Sequence, residues 1–106
     1  MSKREELQTI LQNLIGVRSD GKANVYFQPP STVKMNYPCI VYSRNRIDTR
    51  HANNELYKYS SGYVVTVIDP DPDSEILEKL LRLPYCRFDR HFTAENLNHD
   101  VCNIYY

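Results

Sequence analysis

The periodicity of apolar and polar positions changes several times along this chain. Leu7, Ile10, Leu11, Leu14 and Ile15 recur at helical spacing, with Glu6, Gln8, Thr9, Gln12 and Asn13 between them. That is one apolar stripe on an otherwise polar helix. Ser2 followed by Glu5 is a capping-box signature, and Gly16 is a suitable stop. Ile76, Leu77, Leu80, Leu81 and Leu83 make a second stripe, which Pro84 ends. It follows Asp69-Pro70-Asp71-Pro72-Asp73-Ser74, where Asp71 is placed to cap free amides and Pro72 fits the first helical position.

Between and after the helices the pattern alternates. Asn24–Gln28 is a short strand candidate after the turn signal Asp20-Gly21, and Pro29-Pro30 closes it. Ser31–Pro38 reads as an extended loop, because tandem proline does not support ladder pairing. Cys39–Asp48 is a strand with Ile40, Tyr42, Arg44 and Arg46 on one face and Cys39, Val41, Ser43 and Ile47 mostly on the other; its register loses definition near Asn45. Leu56–Asp69 is the longest strand candidate. Tyr57, Tyr59, Tyr63, Val65 and Val67 share one side, Val64, Thr66 and Ile68 the other, and Gly62 marks a bulge or a bend. The two runs are close enough to pair as a long antiparallel hairpin. Thr49–Glu55 holds nothing apolar beyond Ala52 and reads as the loop at its tip. Tyr85–Phe92 and Val101–Tyr106 form a second hairpin around a polar turn, Thr93–Asp100.

The order is helix, strand, long hairpin, helix, short hairpin. It predicts an α+β fold of one domain, residues 1–106: a mainly antiparallel sheet with a long β-hairpin and two amphipathic helices packed on one face.

Composition narrows the function classes. Thirteen basic and thirteen acidic residues cancel, which argues against a protein that holds nucleic acid by bulk charge. No apolar run is long enough to cross a bilayer, so no membrane partner is expected. The polar start Met1-Ser2-Lys3-Arg4-Glu5-Glu6 is unlike a signal peptide and points to the cytosol. Cys39, Cys86 and Cys102 are odd in number and widely spaced, and read as small buried hydrophobes of a reducing compartment. Nine tyrosines and no tryptophan suit half-buried strand faces and interfaces.

Candidate chemistry is sparse. Cys39, Cys86, Cys102, His51, His91 and His99 form neither a CxxC nor a close histidine pair, so no metal or other cofactor is expected. Asp69, Asp71 and Asp73 lack the glycine and distal glutamate of a calcium loop, and helix capping explains them better. In a regular strand Arg87, Asp89 and His91 share a face and invite an acid–base reading, but a salt-bridge ladder on a strand fits them better. No nucleophile elbow, phosphate loop or paired catalytic carboxylates are recognisable, so no catalytic residue is assigned. Arg44, Arg46, Arg50 and His51 form a local basic stretch, with Lys34 nearby in sequence and Asp48 and Glu55 diluting the charge. With Asn53, Asn54, Arg87 and Arg90, these residues are the candidate interface.

Three strings carry a resemblance over most of the chain, from about Val25 onward. They are Y-P-C-I-V-Y at Tyr37–Tyr42, V-I-D-P-D-P-D-S at Val67–Ser74, and the segment Pro84–Tyr106 with its T-A-E-N-L-N-H-D turn. Together they resemble small neck proteins of long-tailed bacteriophages, the tail terminator (head–tail joining) family. The resemblance implies a small α/β fold and a structural virion protein with no enzymatic activity. It implies a homo-oligomeric ring, a hexamer in this family, located in the neck of the virion after assembly in the host cytoplasm. Its partners would be the tail tube protein and a head-side connector or stopper protein, with DNA passing through the ring without sequence-specific binding. Another head–tail joining component is the nearest alternative. A small nucleic-acid-binding or nuclease-like domain is the alternative from a different class.

Overall fold

Lys3–Ile15 is helical (α1) in the computed structural model of the protein, and its apolar stripe faces inward, with Leu7 and Leu11 fully buried. The structure describes residues 3–16, 23–32, 34–52 and 55–106, and side chains outside the stretch 45–61. Gly16 follows α1 with a φ of +88°, and its amide donates to the Gln12 carbonyl at 2.9 Å. Such left-handed closure is the usual work of glycine at a helix end. Ser2 and the Asp20-Gly21 turn lie outside the described residues.

Strands β1 (Val25–Phe27), β2 (Cys39–Ala52) and β3 (Glu55–Asp69) come next, then helix α2 (Glu75–Leu81), then β4 (Cys86–Ala94) and β5 (Leu97–Tyr105). They make one five-stranded sheet in the order β1-β2-β3-β5-β4. Only β1 and β2 run parallel; the other three pairings are antiparallel. The expected α+β architecture, mainly antiparallel, is the one found.

Register explains the core. Ile40 pairs with Val67, Tyr42 with Val65, Val65 with Cys102 and Tyr63 with Ile104, so these residues share a face. Each is at most 2% exposed, and Leu7, Leu11 and Leu80 of the two helices belong to the same cluster. Fully burying one aliphatic side chain contributes about 1.5–3 kcal/mol, so this layer outweighs any surface contact in the molecule. A smaller apolar set, Cys39, Ile68 and Val101, is buried on the opposite face.

One polar connection runs through the helix–sheet layer. The Tyr42 ring is 1% exposed, and its hydroxyl donates to Gln8 Oε1. Gln8 Nε2 donates onward to the Val25 carbonyl at 3.4 Å, and Arg4 Nη1 donates to the Tyr42 hydroxyl at 3.4 Å. Burial pushes the Tyr42 hydroxyl above its ordinary pKa, against the lowering effect of Arg4. A buried tyrosine needs such a partner for its polar tip.

Four local expectations are corrected. Thr49–Glu55 is not simply a loop: β2 runs to Ala52, β3 starts at Glu55, and the ladder includes Thr49↔Tyr59 and Ala52↔Glu55. Backbone pairing satisfies such a segment without apolar side chains, so its composition hid the strand. Thr93–Asp100 is likewise mostly strand, turning only at Glu95 and Asn96, both at positive φ (51° and 64°). Two successive positive φ values suit the twist of a two-residue hairpin. The first strand is shorter than expected and covers Val25–Phe27 only. Finally, α2 starts at Glu75 and ends at Leu81, and neither Asp71 nor Pro72 opens it. Asp69 Oδ1 accepts from the Asp71 amide and Asp71 Oδ1 from the Asp73 amide, both at 2.9 Å. These aspartates are spent on successive local turns, and the helix begins three residues after Pro72, beyond Ser74.

The expected irregularities at Asn45 and Gly62 coincide with a shift of register, Arg44 opposite Tyr63 and Arg46 opposite Gly62. Beyond that point the sheet narrows. β1 reaches only Tyr42 on β2, and β5 reaches only Gly62 on β3. Among the described residues, the rest of β2 and β3 pair only with each other, as a two-stranded ribbon. Strands of 14 and 15 residues, rising about 3.3 Å per residue, account for a long axis of 51 Å against 29 and 28 Å. Among the described residues no helix is long and apolar enough to cross a membrane.

Candidate functional site

The candidate residues separate into two groups. Arg46, Arg50 and His51 have their backbone on the ribbon, opposite Gly62, Lys58 and Leu56. Asn53 and Asn54, at its tip, lie outside the described residues. Arg44 stands at the ribbon's base, its amide donating to Gln28 Oε1 at 3.2 Å and its guanidinium 6.0 Å from the centre of the Tyr63 ring. Arg87 and Arg90 lie on β4, at the opposite side of the sheet, with β3 and β5 between the groups.

β4 is an edge strand, and its position gives it an unusual surface. Only Cys86 of its nine residues is partly buried; the rest are exposed. Phe88 is 49% exposed, Phe92 42%, and Tyr85, just before the strand, 74%. An edge strand with free backbone groups and exposed aromatic rings is a ready surface for another chain. Sequence reasoning assigned Arg87 and Arg90 to the interface and passed over these rings. The signal was the aromatic run Tyr85–Phe92 itself.

The ladder expected from Arg87, Asp89 and His91 does not form. A register shift between Phe88 and Arg90 interrupts the alternation at Asp89. Asp89 instead pairs with its neighbour, Arg90 Nη1 lying 3.1 Å from Asp89 Oδ2 in an exposed setting. Arg87 and Arg90 face Asn103 and Val101, on the side of the sheet away from the helices. His91 pairs across the strands with Asp100, Nδ1 to Oδ1 at 2.7 Å. Phe92 stacks on His99, the ring centroids 4.6 Å apart and 14° from parallel.

The His91–Asp100 pair has structural weight, because the Asp100 side chain is only 6% exposed while His91 is 42% exposed. Removing the partner of a buried polar group costs about 1–3 kcal/mol. His91→Ala is therefore expected to lower the unfolding free energy measured in urea by that amount, with a lower midpoint, and Asp100→Asn added to it to recover part of the loss. Equal midpoints for His91→Ala and the unaltered protein would show that Asp100 has another partner.

An open cleft of about 340 Å³ lies between α1 and the end of β5, lined chiefly by Leu7, Ile10, Leu83, Pro84, Tyr85 and Tyr106. Among the described residues no three histidine, cysteine or acidic side chains converge as a metal site. Cys39 is fully buried, and burial, with the Asp69 charge adding to it, pushes its thiol up to about 12. Compared with known proteins, the chain matches no family model and no curated sequence.

Proposed function

We propose that this protein is a structural component of a phage neck: a tail terminator whose copies close into a ring on the tail tube and join it to the head-side connector. The observation that carries the reading is the ribbon of β2 and β3 beyond Arg44 and Gly62, which pairs with nothing else among the described residues. An isolated two-stranded hairpin is marginal in water, and a neighbouring subunit would supply the missing contacts. The exposed aromatic edge at Tyr85, Phe88 and Phe92 supports the same reading from the other side of the sheet. Two different surfaces on opposite flanks suit a head-to-tail contact, and such contacts close into rings when the rotation permits. The mechanism is surface complementarity, with no chemical step. The particular assignment to a tail terminator rests on the sequence resemblance, as does the hexameric count.

Light scattering coupled to size-exclusion chromatography tests the proposal. A discrete oligomer that persists on dilution, six subunits if the resemblance holds, is the expected result. A strict monomer at every concentration, with affinity for DNA, would favour a lone nucleic-acid-binding domain. The same oligomer failing to bind tail tubes while binding the connector would assign the protein to another place in the neck.

A further inference from the structure

Two of the three cysteines are brought together by the sheet. Cys86 opens β4 opposite Ile104, and Cys102 lies on β5 opposite Phe88, so they are diagonal neighbours on the helix-covered face. That register sets the two side chains beside each other, and each thiol shifts the other's ionisation: the neighbouring Cys102 thiol lowers Cys86 against the effect of partial burial, and the Cys86 thiol, with burial, raises Cys102. The two thiols also differ in access. Cys102 is fully buried, whereas Cys86 is only half-buried.

We propose that Cys86 and Cys102 are a peroxide-sensitive dithiol, Cys86 the attacking sulfur and Cys102 the resolving one, which closes to an intramolecular disulfide between β4 and β5. The Cys86 thiolate attacks one peroxide oxygen: the S–O bond forms, the O–O bond breaks, and the departing hydroxide takes up a proton and leaves as water. Cys102 sulfur then attacks the sulfenic sulfur: the S–S bond forms, the S–O bond breaks, and a second water leaves with the Cys102 proton. The two thiols lose two electrons, and one peroxide becomes two waters. Reactivity of this kind follows thiolate character and access; Cys86 is the more exposed member of the pair, while Cys39 is fully buried.

Diagonal neighbours in a sheet have backbones about 7–8 Å apart, beyond the usual span of a disulfide, so closure needs a small shift. β4 can supply it. Cys86 is the first residue of an edge strand, follows Tyr85 at a φ of 64°, and precedes the Asp89 irregularity. The product would tie the exposed edge to the interior strand.

The test is dilute hydrogen peroxide on the native protein, then alkylation under denaturing conditions and peptide mapping by mass. The expected result is a single-chain mass lower by two hydrogens after denaturation, with alkylation lost at Cys86 and Cys102, retained at Cys39, and restored by reductant. Cys86→Ser should abolish the cross-link, and Cys39→Ser should leave it intact. Circular dichroism of Cys86→Ser confirms that the comparison is made on a folded chain. Three outcomes overturn the proposal: both thiols stay reduced, Cys86 proceeds to sulfinic acid with Cys102 still alkylatable, or the only disulfides formed link separate chains.

Discussion

Leu11→Ala is expected to destabilise the fold by about 2–5 kcal/mol, the range for truncating a buried leucine. For a domain of this size each kcal/mol moves the melting temperature by about 4–8 °C, so a drop of about 8 °C or more should be visible in a thermal scan. Leu11 is 0% exposed and sits in the cluster that joins α1 to Tyr42, Val65 and Ile104. Gln8, on the same side of the helix, is committed to Tyr42 and Val25 and does not fill the space. Asn13→Ala on the exposed side of the same helix is the matched control, expected to stay within about 0.5 kcal/mol. A Leu11→Ala protein that melts normally but no longer oligomerises would mean that α1 faces a partner instead of the core.

Replacing Arg46, Arg50 and His51 together by alanine is expected to have the opposite profile. Circular dichroism and melting should barely change, since the folded core lies on the other side of the Arg44–Gly62 register shift. Joining should fail. Arginine makes forked hydrogen bonds to carboxylates across interfaces, and truncating one partner of a buried charge pair costs about 2–5 kcal/mol. That is tenfold or more in affinity per contact, repeated at every subunit of a ring. In a phage complementation assay the triple variant should give free heads and tails, or tails of irregular length. Normal virion yield from a stably expressed variant would remove the ribbon from the docking surface.

What the chain discloses by itself follows from how each element is held. Core strands are written as alternation because a covered face demands it: Tyr63, Val65 and Val67 were assigned to one side from spacing alone, and all three are buried together. Helix α1 is legible for the same reason. The tip of the ribbon is not, because Thr49–Glu55 carries no alternation of apolar and polar residues and reads like any polar loop. The β4–β5 turn was overestimated because Asn98, His99 and Asp100 are polar, although their partners are specific. Asn98 Nδ2 donates to the Asp69 and Pro70 carbonyls at 3.2 Å, and Asp100 meets His91. Sidedness on β4 failed at a single residue, Asp89, where the shifted register reversed the expected faces. The thiol pair was invisible because sixteen positions separate Cys86 from Cys102, and only strand register brings them into contact.

The strand order carries a consequence for biosynthesis. β5 is inserted between β3 and β4, so the interior position belongs to the strand translated after all its neighbours. Until residues 97–105 have left the ribosome, the inner edge of β3 and the whole of β4 lack their partner, and Val65 and Ile68 have no cross-strand cover from Cys102 and His99. Each nascent chain on a polysome therefore passes through a stage with sticky, half-built sheets close to one another. The charges that line β4, with Arg87, Asp89 and Arg90 in one short run, are well placed to discourage edge-to-edge pairing during that interval.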